Sequence, residues 1–121
     1  MKRLAVLTAV AATLGLIAAA PAPATTQCGP DNHWCASAIR LHGRLFLTFA
    51  GFGYQGTYRV CVTPPKAREV CRTFGLVPNG TGANASSVLF TKHFPHARKG
   101  RYHARWLYAD KQVGKSIAFT P

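Results

Sequence analysis

Residues 101–109 read RYHARWLYA, and the alternation in that run decides the fold. Side chains two apart along an extended chain share a face. Tyr102, Ala104, Trp106 and Tyr108 therefore fall on one side, and Arg101, His103 and Arg105 on the other. The aromatics face a shared interior and the guanidiniums face water. Asp110 and Lys111 predict a tight turn, and Gln112 to Thr120 returns as a closing strand with Val113, Ile117 and Phe119 inward.

Working outward, residues 57–74 read TYRVCVTPPKAREVCRTF. Tyr58, Val60 and Val62 alternate with Arg59, Cys61 and Thr63 until Pro64 and Pro65 end the strand, since proline cannot donate to a ladder. Arg68 to Phe74 returns as its partner. A hairpin centred on Lys66 sets Val62 opposite Val70 and Cys61 opposite Cys71, so both sulfurs lie on one face and can be bridged. Further strands are predicted at Ala38 to His42, at Arg44 to Ala50 with Leu45, Leu47 and Phe49 on one side, and at Ser87 to Phe94 with Val88 and Phe90 in phase. Val77 to Ala85, with its proline, asparagine and glycines, predicts a loop, and Pro95 to Gly100 a basic one. About seven short strands in a chain of this size predict an all-β, two-layer antiparallel sandwich.

Before this body, Met1, Lys2 and Arg3 precede 17 uncharged residues from Leu4 to Ala20, followed by Pro21 and the small residues Ala22 to Ala24. That pattern predicts a cleaved secretory signal over residues 1–24, with a disulfide-closed segment and first strand over 25–43 and the sandwich body over 44–121, the last two forming one domain. The apolar run is too short and alanine-rich for a membrane anchor, and no second run follows it. The mature chain is expected outside the cell, without a transmembrane segment. In an oxidising compartment the four cysteines predict two bridges, and proximity favours Cys28 with Cys35 and Cys61 with Cys71. A zinc site at Cys28, His33 and Cys35 fits no established ligand spacing.

The residues YRVCVTPPKAREVCRTF and GRYHARWLYADKQVGKSIAF resemble the small secreted immunoglobulin-like β proteins of actinobacterial genomes, most of which have no assigned function. The resemblance spans residues 44–120 and implies an immunoglobulin-like sandwich, with Tyr102 in the role of the tyrosine corner of such folds; Ala104 stands where their second cysteine would follow. It implies a fold and no activity.

Charge carries the functional reading. The chain has 15 Lys and Arg against 3 Asp and Glu, a net +12; without Lys2 and Arg3, 13 cations face the same three acids, a net +10. With 48% hydrophobic and 11% aromatic residues it is no disordered basic tail. If the strands at 57–63 and 101–109 are neighbours, Arg59, Arg101, His103 and Arg105 form an outward anion-binding face, extended by Arg98, Lys99 and Lys115. The expected partner is an anionic polymer or surface: cell wall, acidic polysaccharide, nucleic acid or lipid headgroups. A small-molecule ligand is not expected, and the oligomeric state is left open.

Catalysis is poorly supplied. Asp31, Glu69 and Asp110 are the only carboxylate side chains, and Ser116, His103 and Asp110 have neither a nucleophile elbow nor an oxyanion hole around them. The chain is expected to be no enzyme and to hold no cofactor or metal. His93, His96 and His103 predict surface histidines, Asn79 and Asn84 head sequons that matter only in a eukaryotic pathway, and GFGYQG at 51–56 predicts a turn between strands and no phosphate cradle, because no helix follows it. The alternative function is inhibition of a hydrolase by a braced loop, Gly29 to Trp34 or Pro64 to Ala67, and a weaker one is membrane-directed antimicrobial action.

Overall fold

The computed structural model describes residues 25–121; the signal segment expected at 1–24 lies outside the described residues. Nine strands occur among the described residues: β1 (Thr25–Cys28), β2 (Trp34–Leu41), β3 (Arg44–Gly51), β4 (Thr57–Thr63), β5 (Val70–Gly75), β6 (Val77–Pro78), β7 (Asn84–Leu89), β8 (Tyr102–Tyr108) and β9 (Lys111–Phe119). A single helical turn, α1 (Phe90–His93), follows β7. The strands form two antiparallel sheets, ordered β1-β2-β3-β7-β6 and β5-β4-β8-β9. Apart from β1, this is the immunoglobulin order, with β2-β3-β7-β6 as the ABED sheet and β5-β4-β8-β9 as CFG plus an added C′ strand. The hallmark bridge between the two sheets of antibody domains is replaced here by one within each sheet, Cys28–Cys35 joining β1 to β2 and Cys61–Cys71 joining β4 to β5.

The hairpin register falls as the cysteines dictate, Cys61 opposite Cys71 and Val62 opposite Val70. On β8, Tyr102, Ala104 and Trp106 are buried while His103 is exposed, as is Arg101 just before the strand, as alternation requires. Leu107 departs from that simple scheme, being buried on the outward face where it lies opposite Arg59 in register. The Tyr102 hydroxyl donates to the Arg98 carbonyl at 2.7 Å, four residues upstream, and so braces the preceding loop as a tyrosine corner does.

Four expectations are corrected. The turn before β9 is centred on Ala109 and Asp110, both with positive φ (52° and 62°), which leaves Lys111 in the strand opposite Tyr108. Residues 90–94 are not strand: the Phe94 amide donates to the Phe90 carbonyl at 3.0 Å. The four-residue spacing of a helical turn carries both rings into the core, with centroids 6.0 Å apart. Residues 77–85 are not wholly loop, because Val77 and Pro78 pair with Ala85 and Asn84 at a sheet edge, where proline's missing donor is tolerated. The fourth concerns the N-terminal segment, which supplies a strand before the expected first one. Gln27 on β1 accepts from the Lys115 amide at 2.8 Å and donates to the Lys115 carbonyl at 2.5 Å, so its side chain clasps β9 of the opposite sheet.

Candidate functional site

The topology sorts the loops into two poles. At one end lie the turn between β2 and β3, the β4–β5 loop (64–69), α1 with the loop to residue 101, and the chain end after Phe119. The two sheets meet there: Phe90 packs edge-on against Tyr102 and Phe119, and Arg40 donates to the Thr120 carbonyl at 3.2 Å. At the other end lie residues 29–33, 52–56, 79–83 and the β8–β9 turn.

Lysine and arginine are shared unequally between the poles. The first carries Arg40 and Arg44 beside the β2–β3 turn, Lys66 and Arg68 on the hairpin loop, and Lys92, Arg98, Lys99 and Arg101 on and after α1, which is eight of the 13 such cations in residues 25–121. Asp31 and Asp110 both sit at the opposite pole. Glu69 is the one acid beside the cationic pole, and it is engaged. Its carboxylate accepts two hydrogen bonds from Arg105, at 2.7 Å from Nε and 2.9 Å from Nη2.

The four residues of the expected anion-binding face therefore divide. Arg101 and His103 are exposed at the cationic pole, with no carboxylate within salt-bridge reach among the described residues. Arg105 is paired with Glu69, and Arg59 lies 3.9 Å from Asp110. Of the expected extensions, Arg98 and Lys99 belong to the pole, whereas Lys115 stands apart on β9 beside Gln27.

The hydrogen bonds from Arg105, opposed by partial desolvation, hold the Glu69 carboxyl below its ordinary value of 4.5. Because folding lowers this pKa, the pair's contribution is fully present above the ordinary value and is lost as pH falls through the lower folded one. Both side chains are about one third exposed (35% and 33%), so the contribution is small. Glu69→Gln should cost under about 1 kcal/mol in urea unfolding at about pH 7 and nothing at about pH 2. An equal cost at both values would assign the effect to packing instead.

The remaining candidates are placed as follows. His103 is the second residue of β8 and Asp110 follows the strand's end, roughly 20 Å away along it, so the Ser116, His103, Asp110 trio is not assembled. Among the described residues, the only three His, Cys, Asp or Glu donors that converge are Cys61, Glu69 and Cys71, and both sulfurs are bonded to each other. GFGYQG turns the chain from β3 to β4, with Gly53 and Gly56 at φ 82° and 81°. The Gly29 to Trp34 loop lies at the pole opposite the cations, closed by the Cys28–Cys35 bridge and by a Gly29 amide bond to the Trp34 carbonyl at 2.9 Å. No helix of the described residues is long and apolar enough to cross a membrane. No protein family, curated protein or solved structure matches the chain.

Proposed function

We propose that this chain is a secreted, non-enzymatic binding module for an anionic polymer, with the cationic pole as its docking surface. One observation carries the proposal: eight lysines and arginines are gathered at one end of the sandwich, where the nearest carboxylate is already spent on Arg105. Unneutralised cations concentrated on one surface create a field that draws in a polyanion and orients it. Gathering them at one end serves this better than an even spread, which would serve solubility equally well. Two disulfides suit an oxidising extracellular setting. The Cys61–Cys71 hairpin and the Tyr102 brace support the resemblance to small secreted actinobacterial immunoglobulin-like proteins.

The test is binding to heparin and to duplex DNA across a salt series. Counter-ion release by six or more cations should lower affinity at least about a hundredfold between about 50 and 200 mM salt. Absence of binding to either polymer at about 50 mM salt would overturn the proposal.

A further inference from the structure

A cleft of ≈ 320 Å³ opens at the cationic pole, between the β4–β5 loop and the loop that leads into β8. Pro64, Ala67 and Val70 form one wall and Pro95 and Ala97 the other, with Arg68 and Arg98 on either side. Both guanidiniums are free of carboxylate partners among the described residues. Behind them lies the buried Tyr102, whose hydroxyl proton is committed to the Arg98 carbonyl.

We propose that this cleft is a small-molecule site for an anion with an apolar body, a single aromatic ring bearing a phosphate or carboxylate. This goes beyond polymer binding and does not depend on it. The walls exclude the other classes. No carboxylate or amide side chain lines the cleft, and the Tyr102 hydroxyl oxygen is the one side-chain acceptor in its lining, so a sugar unit would leave most of its hydroxyl protons unpaired there. A cationic ligand would face two guanidiniums. An aryl anion meets apolar surface along its ring and two planar donors at its charged end, the arrangement guanidinium favours.

The cleft is also formed in advance. Pro64, Pro65 and Pro95 fix the backbone of both walls, and Tyr102 ties down the carbonyl of Arg98. Gly100, at φ 127°, lets the second loop close on the first; a Cβ there would stand 3.1 Å from the Pro65 ring. Little ordering is left to oppose binding.

Phenyl phosphate is the probe, with inorganic phosphate and phenol as its two halves, followed by the amide NMR shifts of Ala67, Val70 and Ala97. The expected result is binding of phenyl phosphate at least about tenfold tighter than either half, with shifts centred on those three amides. Ala67→Leu and Ala97→Leu, which narrow the cleft without changing charge, should each weaken phenyl phosphate about tenfold while leaving heparin affinity within about twofold. Phenyl phosphate binding no tighter than inorganic phosphate, shifts that map elsewhere, or indifference to both leucine variants would overturn the site. Loss of heparin binding alone, with phenyl phosphate retained, would overturn the polymer proposal and leave this one standing.

Discussion

Trp106→Ala is expected to remove about 3–5 kcal/mol of stability, against a total of roughly 5–15 kcal/mol for a domain of this size. Trp106 is fully buried near the middle of β8, between Val60 of β4 and Val113 of β9 in register. It is among the largest wholly buried side chains, and alanine would leave a void that two disulfide-pinned hairpins cannot easily close around. The midpoint of thermal unfolding should fall by roughly 15–30 °C with the bridges intact. Trp106→Phe separates volume from polarity. The indole N–H is buried without a hydrogen-bond partner, so phenylalanine removes an unsatisfied donor while keeping most of the ring, and should cost only about 1–2 kcal/mol. Circular dichroism melts of both variants decide the matter. If the alanine variant melts within a few degrees of the parent, Trp106 does not anchor the packing of the two sheets.

That central position was legible because alternation on β8 is unbroken from Tyr102 to Trp106 and because paired cysteines fix the β4–β5 register to the residue. Signals weaken where geometry replaces periodicity. β1 is a four-residue TTQC segment without an apolar face, held by its disulfide and by the Gln27 clasp, neither of which alternation reveals. Phe90 and Phe94 satisfy a strand's period of two and a helix's spacing of four together, and the helical solution won because it buries both rings at the end of the sandwich. Alternation turns the arginines of β4 and β8 outward but does not identify their partners. Glu69 extends the β5 side of the hairpin on the face of Cys71, and Cys61 lies opposite both Cys71 and Arg105, so the Glu69–Arg105 pair follows only once the β4–β8 register is known. The cationic pole needed more still. Its lysines and arginines come from three separate segments of sequence, and only the strand order tells that their loops emerge at the same end.

Two sets of substitutions distinguish the pole from the sheet face as the docking surface. Lys66→Gln, Lys99→Gln and Arg101→Gln together remove three pole cations with no carboxylate partner, and spare the two arginines of the cleft. Heparin affinity at about 100 mM salt should fall tenfold or more, and the slope of log affinity against log salt should decrease by about three. The second set removes both members of each ion pair: Arg59→Gln with Asp110→Asn, and Arg105→Gln with Glu69→Gln. Net charge stays at +10 for residues 25–121, since two cations and two anions are lost. Arginines already neutralised by a neighbouring carboxylate release few counter-ions on binding, so affinity should change by less than about twofold. The reverse ranking, with the pair-removed variant failing to bind and the pole variant unaffected, would move the docking surface onto the β4–β8 face. Equal and proportional losses would mean that net charge alone, without a defined surface, draws the polymer in.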